Sequence, residues 1–422
     1  MKNNILLFTL LFILLLSGCS PVKGGTEKVT LKVLYDSSDE FMDKYGNTYL
    51  AKNENIDFEI VPLSQYYKDG LTEEKYSEIV ENEKPDILYG FNLEKYSNEG
   101  KLLNLDPYIL KSKDFGIDKI NTNLLEYIRQ KGNGNIYALS PTFAGKALYY
   151  NKSLLDQLGI GNPTDGMSWD EVMKLAARIS EAGKNSDKII SFYYDSNLFK
   201  LTKDIANTMG VNYINSSGKV TFKTNTWKSI MNLVIENAKI GAISTKENYP
   251  QSTILEKSIF SQGNVALTVD YSYLLNDLHD VNFEWGVVTL PVDSRQPGSI
   301  DAMQPNALFG VSSSSSHVQE SVDFIKYING EQFARLFQKS DLLSNLPSRE
   351  EYSQNILKVD LHAFYSIPPL EKTDLSPISL DQFTKVNETA NELIKDAVSN
   401  ETSIDKLLES LQNNTEAILN KE

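Results

Sequence analysis

Short apolar runs alternate with longer amphipathic segments at the start of the folded part of the chain. The apolar runs predict strands over residues 29–35, 56–61 and 85–89, which are rich in β-branched and aromatic residues. Helical periodicity predicts helices over residues 39–51 and 72–83. Strands that alternate with helices are typical of parallel βαβ units, so this part of the chain is expected to form an α/β lobe.

The same alternation continues to the end of the chain. Ser168 to Glu171 has the spacing of a capping box, which predicts a helix that ends near residue 182. Further strands are predicted over residues 265–269, 283–288 and 307–311. Further helices are predicted over residues 203–209, 226–240, 252–261, 317–328 with Ser316 as its N-cap, and 381–421 with Thr402 as an N-cap.

The predicted strands also indicate where a ligand could bind. In parallel α/β sheets, ligands bind beyond the carboxyl ends of the strands. The first three strands end next to Asp36-Ser37, Gln65-Tyr66-Tyr67 and Gly90-Phe91-Asn92. These three loops are therefore candidate parts of a binding site.

The first nineteen residues have the pattern of a secretory signal. Lys2 precedes an apolar run from Ile5 to Leu16, and small residues follow in Ser17-Gly18. Cys19 is the only cysteine of the chain. We predict a signal peptide over residues 1–18, either with an incidental cysteine after it or with a lipidation site.

A lone cysteine at this position resembles the lipobox of bacterial lipoproteins. The resemblance implies that the Cys19 thiol is acylated with diacylglycerol, which includes chains such as palmitate, and that residues 19–28 are a short lipid-anchored linker. The expected location is the extracytoplasmic face of the cell membrane. No other segment of the sequence is apolar enough to cross a membrane, so the protein is expected to contact the membrane through its anchor only.

Composition narrows the possible functions. A chain of 422 residues exceeds the usual size of a single core, which predicts two lobes. The net charge is −15, or about −16 once the signal with its one lysine is removed. Nucleic-acid binding requires a basic surface, so no nucleic-acid partner is expected. With a single cysteine, no disulfide within the chain is expected, and stability must come from apolar cores.

Six segments, in this order, resemble family 1 extracellular solute-binding proteins, the class of the maltose-binding protein. These proteins deliver solutes to ABC importers. The segments are Lys84 to Tyr89 with Gly100 to Leu105, Gly134 to Pro141 with Ala147 to Lys152, Leu158 to Glu171, Phe260 to Val269, Trp285 to Pro291, and Val311 to Arg349. Within them, we expect Asp86, Trp169 and Trp285 to brace or fill the structure rather than to bind ligand.

The resemblance implies a two-lobed α/β periplasmic-binding-protein-like (Venus-flytrap) fold with hinge strands and C-terminal helices. Lobe one would be residues 27–143 plus 296–345, and lobe two would be residues 144–295 plus 346–422. A hinge crossing would lie at Phe143-Ala144-Gly145, where Gly145 offers backbone freedom. The protein would be a monomer that closes on its ligand and docks on the transmembrane subunits of an ABC permease.

The resemblance also suggests ligand-binding residues. Tyr273 matches the position where the maltose-binding member has a stacking tryptophan, and Asp270 lies beside it at a strand end. Asp36 and Ser37 match the first-strand loop that contacts ligand in the family. Other residues fall at expected cleft edges: Tyr66, Phe91, Asn92, Phe143 and Asn306.

Departures from the maltose-binding pattern keep the ligand class open. The stretch from Gly90 to Glu94 contains neither the tryptophan nor the Asp-Arg pair of that protein, and its acidic hinge residue is replaced near Phe143-Ala144. The expected ligand is a carbohydrate, and an oligosaccharide in particular, although not maltodextrin itself. The same fold could instead bind a polyamine, a phosphorylated polyol or an iron complex held by tyrosines. The protein could also act as a ligand sensor.

An enzyme such as a glycosidase is the remaining alternative, and it would need two suitably spaced carboxylates. The sequence lacks the Gly-x-Ser-x-Gly, His-Glu-x-x-His and Gly-x-Gly-x-x-Gly motifs. Its three histidines, His279, His317 and His362, do not have the spacing of metal ligands. We therefore expect a binding protein without catalytic residues, metal or cofactor.

Overall fold

The computed structural model describes nine ranges of the chain: residues 28–185, 189–215, 217–248, 257–293, 297–337, 345–353, 359–370, 378–400 and 402–420. The predicted signal peptide, Cys19 and nearly all of the predicted linker lie outside these ranges. Across the described ranges, no helix has both the length and the apolar composition that a membrane crossing requires.

Twelve strands are present in the described ranges. They are β1 (Val29–Tyr35), β2 (Ile56–Pro62), β3 (Ile87–Tyr89), β4 (Ala138–Leu139), β5 (Thr142–Asn151), β6 (Ile190–Tyr194), β7 (Ile243–Thr245), β8 (Val265–Tyr271), β9 (Trp285–Thr289), β10 (Met303–Pro305), β11 (Phe309–Val311) and β12 (Leu346–Pro347).

The same ranges contain α-helices of four to twenty residues. They are α1 (Ser38–Phe41), α2 (Asn47–Leu50), α3 (Glu73–Glu83), α4 (Leu93–Asn98), α5 (Asp106–Ile109), α6 (Thr122–Lys131), α7 (Lys152–Gln157), α8 (Trp169–Ala182), α9 (Leu198–Asn207), α10 (Asn225–Lys239), α11 (Leu275–Leu278), α12 (Val318–Ile328), α13 (Glu331–Phe337), α14 (Leu380–Ser399) and α15 (Ile404–Leu419). A π-helical turn, Met42–Gly46, joins α1 to α2. Short 3-10 turns cover Leu63–Asp69, Lys113–Phe115, Ile117–Lys119, Ile259–Gln262, Ser272–Leu274, Glu350–Tyr352 and His362–Phe364.

The strands form two sheets, one for each lobe. The first has the order β2-β1-β3-β11-β4, with β1 parallel to β2 and β3. The second contains β8 between β5 and β6, with β6 parallel to β7 and β8. The predicted α/β fold with two lobes is confirmed.

Strand β5 connects the two sheets. Its second half pairs with β8 and β9 of the second lobe. Its first half pairs with β10 on one side and β12 on the other. Because β10 leads into β11 of the first sheet and β5 follows β4, the chain crosses between the lobes along these neighbouring strands. The predicted lobe boundaries and the hinge at residues 143–145 stay predictions.

Gly145 has a structural role in addition to the predicted place in a hinge, which stays a prediction. Its backbone angles are ordinary, so the position does not need glycine for conformational freedom. A Cβ at this position would lie 2.7 Å from Cβ and from the carbonyl oxygen of Phe364. Glycine is required here because the segment that carries Phe364 packs directly against the crossing strand.

The buried apolar residues form two clusters that are rich in aromatic side chains, and the first cluster continues from the first lobe into the second at Tyr149 and Phe260. Tyr35, Phe41, Phe309 and Phe324 pack together in the first cluster, and Phe41 and Phe324 are completely buried. The second cluster includes five large aromatic side chains: Trp169, Phe192, Phe199, Phe222 and Trp227. Each such side chain contributes about 1.5–3 kcal/mol of hydrophobic free energy when fully buried.

Two of the three residues that we expected to brace or fill the structure, Trp169 and Asp86, make structural hydrogen bonds. The indole nitrogen of buried Trp169 donates to Oγ1 of Thr208 at 3.0 Å. Asp86 accepts from the backbone N–H of Lys32 at 3.0 Å and from the hydroxyl of Ser315 at 2.6 Å. Trp285 is half-buried near Tyr149, with ring centroids 6.3 Å apart.

Several predicted helix ends were wrong. Ser315, rather than Ser316, accepts from the N–H of His317 at the start of α12. The C-terminal region forms two helices, and Ser403 rather than Thr402 caps the second. Helix α9 begins five residues earlier than predicted, since Asn197 accepts from the N–H of Lys200 at 2.8 Å.

The predicted helix over residues 252–261 is also wrong in its described part. Residues 259–262 form a 3-10 turn that Ser258 caps. The turn ends at Gly263, whose φ of +85° belongs to the left-handed region that favours glycine. The part of this prediction before residue 257 lies outside the described residues.

Candidate ligand site between the lobes

The first-lobe edge of the site is built around Asp36, which directly follows β1. One of its carboxylate oxygens accepts from the hydroxyl of Tyr67. The other accepts from the hydroxyl of Tyr89, at the end of β3, at 3.3 Å. Tyr67 remains 49% exposed, so this edge presents an aromatic face beside a carboxylate.

The second-lobe edge carries two more carboxylates at strand ends. Asp195 follows β6 and accepts from the hydroxyl of Tyr193 at 3.1 Å. Asp270 lies near the end of β8, and its side chain accepts from the N–H of Tyr271 at 2.7 Å. Burial raises the pKa of Asp270 to about 6, and the neighbouring negative charge of Asp195 adds to this increase.

Tyr273 and Asn306 join the second-lobe edge to the crossing strands. Tyr273 follows β8 and is 44% exposed, and its hydroxyl lies 2.8 Å from the side-chain amide of Asn306. When the Asn306 nitrogen faces Tyr273, the Asn306 oxygen accepts from the N–H of Ala144 in β5 at 3.2 Å. The orientation with both amide ends satisfied therefore connects Tyr273 to the crossing strand.

A cavity of about 260 Å³ extends from Asn306 into the first lobe. Its aromatic wall consists of Tyr35, Tyr45, Tyr89 and Phe333. Because Asn306 contacts Tyr273 as well, the exposed tyrosine ring stands next to this cavity. The combination of aromatic faces with carboxylate and amide groups suits a ligand that has apolar faces and hydroxyl rims.

The other predicted site residues are occupied by local structural contacts. Ser37 and Asn92 are the N-caps of α1 and α4. Tyr66 is half-buried, with the Lys75 amine 5.9 Å from its ring centroid. Phe91 and Phe143 are buried, next to Tyr96 and Tyr365 respectively. Contact of all nine predicted residues with ligand stays a prediction, and Asp36, Asp270, Tyr273 and Asn306 are the best placed.

The structure adds Tyr67, Tyr89 and Asp195 to the candidate set. The sequence indicated the loop that contains Tyr67 as a candidate part of the site, and Tyr66 was the residue chosen from it. In the structure, both tyrosines lie in one 3-10 turn. Spacing alone does not decide which of two adjacent tyrosines faces Asp36. Asp195 has a recognisable signal, because it directly follows the buried strand β6.

No cluster of three or more histidine, cysteine or acidic side chains with metal-binding geometry is found in the described ranges. His317 has Asp86 as its carboxylate neighbour at 3.4 Å, and His362 lies 2.7 Å from Glu350.

Replacing Asp270 by asparagine should stabilise the protein at neutral pH but not in acid. A carboxyl whose pKa rises on folding contributes its full stability below the unfolded value of 3.8, and loses it as the pH rises through about 6. The complete shift corresponds to about 3 kcal/mol, and partial exposure reduces the expected gain to about 1–2 kcal/mol. Thermal melts at about pH 4 and about pH 7.5 measure this difference.

Asp170 provides the matched control for that experiment because it is exposed on α8 of the same lobe. Its replacement by asparagine should change the melting temperature little at either pH. An equal effect of Asp270→Asn at both pH values would contradict a raised pKa for Asp270.

Two α/β sheets that are joined by neighbouring crossing strands, with polar and aromatic residues at their carboxyl edges, define a two-lobed ligand-binding protein. The pattern of one family, described as Bacterial extracellular solute-binding protein, matches residues 35–334. The chain belongs to this family of solute-binding proteins. Membership of this family implies that the protein functions outside the cytoplasm.

Individual relatives are distant in sequence but cover most of the chain. The melibiose/raffinose/stachyose-binding protein MelE of Bacillus subtilis is 24% identical over 386 residues, which covers 84% of each protein. The sugar-binding protein MalE from Xanthomonas citri has a TM-score of 0.69 at 16% identity, over 93% of this chain and 98% of the other. A substrate-binding protein from Listeria monocytogenes in complex with cycloalternan has a TM-score of 0.58 at 18% identity, over 93% and 99%.

Proposed function

We propose that this protein captures a carbohydrate, in particular an oligosaccharide, between its lobes and delivers it to an ABC permease without chemical change. The observation that carries this proposal is the exposed ring of Tyr273 next to the Asn306 amide and the aromatic cavity. A sugar ring can stack on tyrosine through its apolar face while its hydroxyls bond to amide and carboxylate groups.

The names of relatives support the same ligand class. MelE is named for three oligosaccharides, and the Listeria protein was solved with cycloalternan. MalE from Xanthomonas citri is described as a sugar-binding protein. These names describe those proteins, and the proposal for this chain rests on its own tyrosines and carboxylates together with family membership.

A polyamine is the second candidate ligand, because carboxylates stand at both edges of the site. Asp36 lies at the first-lobe edge, and Asp195 and Asp270 lie at the second. Two tyrosine hydroxyls already donate to Asp36, however, which leaves fewer of its lone pairs for a cation. This feature favours a neutral polyhydroxylated ligand over a cationic one.

A thermal-shift panel of oligosaccharides, monosaccharides, polyamines and sugar phosphates tests the proposal. A ligand at about one hundred times its dissociation constant stabilises a protein by about 2.7 kcal/mol. Selective stabilisation by an oligosaccharide is the expected result. Stabilisation by a polyamine or a phosphate, with no response to any sugar, would contradict the carbohydrate assignment.

We also propose that the protein is held at the outer face of the cell membrane by lipid on Cys19. The support is the sequence pattern before this cysteine, together with a family that works outside the cytoplasm. Metabolic labelling with palmitate should mark the wild-type protein and not Cys19→Ser. Equal labelling of both proteins, or no labelling of either, would contradict the anchor.

A further inference from the structure

A second crevice, with a volume of about 430 Å³, lies between α6 and α9. Helix α6 packs in the first core through Leu124 and Ile128, whereas α9 packs in the second core through Leu201 and Ile205. Helix α6 lies between β3 and β4 of the first sheet along the chain, and α9 follows β6 of the second sheet, so the crevice is lined from both lobes. None of its lining residues belongs to the 260 Å³ cavity next to Asn306.

The charges around this crevice do not cancel. Lys146 is buried and contacts Asp204 at 2.8 Å and Asp301 at 2.7 Å. Lys200 also forms an ion pair with Asp204. Lys131 also lines the crevice and pairs with Glu94 at 2.7 Å. Among the described residues, Lys203 is then the one amine of this group without a carboxylate partner.

Lys203 has a neutral partner in place of a carboxylate. Its amine donates to the side-chain oxygen of Asn387 and lies 5.1 Å and 5.0 Å from the ring centroids of Phe199 and Phe383. Across the described ranges, no carboxylate lies within ion-pair distance of it. Burial, and then the nearby Lys200 charge, lower the pKa of Lys203 to about 8, so the amine is still mostly protonated at neutral pH.

Two further polar groups in the crevice lack partners. Tyr213 lines it with only 4% of its surface exposed, and its buried hydroxyl has no hydrogen-bond partner among the described residues. The same holds for the buried amide nitrogen of Asn212. Each of these groups can donate a hydrogen bond, as the Lys203 amine can. A ligand with several acceptor oxygens would satisfy them.

We propose that this crevice binds a small carboxylate with a hydroxylated body, of the size and charge of a hexuronic acid. A single negative charge balances the one surplus amine. The lining also contains side-chain amides that can bond to the hydroxyl groups of the ligand, from Gln130, Asn207 and Gln304. No arginine is present in the described lining, so the crevice lacks the forked donor that favours phosphate.

Calorimetric titration of the purified protein with D-glucuronate, D-glucose and inorganic phosphate tests this site. D-Glucuronate should bind at least about tenfold more tightly than D-glucose, because only the acid has a carboxylate that can form an ion pair with the Lys203 amine. Phosphate should bind more weakly than D-glucuronate. Equal binding of glucose, tighter binding of phosphate, or no binding of D-glucuronate would each overturn the proposal.

Variants locate the bound carboxylate. Lys203→Met should weaken D-glucuronate binding at least about tenfold, and Tyr213→Phe, which keeps the ring stacked on Phe222, about fivefold. Lys184→Met removes an exposed lysine of the same lobe and should leave binding unchanged. Tyr273 belongs to the other site, but its ring lies 6.1 Å from that of Tyr271 in this crevice, so Tyr273→Ala should weaken binding much less than Lys203→Met. Binding that is lost in Tyr273→Ala but kept in Lys203→Met would place the acid in the other site and overturn the proposal.

Discussion

Replacement of Lys146 by methionine is expected to lower the free energy of unfolding by about 3–5 kcal/mol. The lysine is only 5% exposed, and its amine lies between Asp204 and Asp301. Methionine would fill much of the space of the side chain but would leave two carboxylates facing each other without their shared cation. The cost arises because Asp301 loses its ion-pair partner among the described residues and Asp204 keeps only Lys200, rather than from lost packing.

The titration behaviour of the same group sharpens this prediction. Burial alone would raise the pKa of Asp204, but Lys146 and Lys200 lower it to about 2. Burial opposes the charge of Lys146, but Asp204 and Asp301 raise its pKa above the ordinary 10.5. Stability from Asp204 is complete above 3.8 and is lost as the pH falls towards 2, and stability from Lys146 is lost only above 10.5.

Urea unfolding of Lys146→Met should therefore show a constant loss of stability between about pH 5 and about pH 9. Lys174→Met is the matched control, because it removes an exposed lysine that pairs with Asp170, and it should cost at most about 1 kcal/mol. The double variant Lys146→Met, Asp204→Asn should lose less than the sum of the single variants. Similar losses in Lys146→Met and the control would show that the buried ion pairs add little.

Replacement of Tyr273 by alanine is expected to weaken oligosaccharide binding between about tenfold and about a hundredfold, or about 1.4–2.8 kcal/mol. The change removes the exposed ring on which a sugar face would stack, together with the hydroxyl near Asn306. Tyr273→Phe keeps the ring and should lose at most about fivefold, because one hydrogen bond contributes about 1 kcal/mol. Titration calorimetry with the best sugar from the thermal-shift panel measures both values.

Ile240 offers a control for the alanine substitution, since it is an exposed apolar residue of the second lobe, at 59% exposure. Ile240→Ala should leave sugar affinity unchanged. Wild-type affinity in Tyr273→Ala would remove this tyrosine from the binding site, even if the protein still binds a sugar.

The parts of the fold that sequence could predict are those with local signals. The alternation of short apolar runs with helical segments predicted β1 to β3 within two residues at each end. The capping box at Ser168 and Glu171 is present in the structure because both of its hydrogen bonds lie within one helical turn. Such patterns depend on neighbours in sequence, so they can be seen before the chain is folded.

The errors arise where distant residues decide the outcome. Ser315, rather than Ser316, accepts from the N–H of His317 before α12. The Ser315 hydroxyl also donates to Asp86, which is 229 positions away, and this distant contact fixes its position. The contacts of Lys146 with Asp204 and Asp301 span 58 and 155 positions, so no local spacing indicates them. In the candidate site, strand ends predicted Asp36 and Asp270, but the contact of Tyr273 with Asn306 depends on how the crossing strands meet the second lobe.

Small-angle X-ray scattering with and without a saturating oligosaccharide shows whether the lobes close on the ligand, because closure makes the molecule more compact. We expect the radius of gyration to fall when the sugar is added to the wild-type protein. The same sugar concentration should leave the curve of Tyr273→Ala closer to that of the free protein. Identical curves for free and sugar-saturated wild-type protein would contradict capture by closure of the lobes.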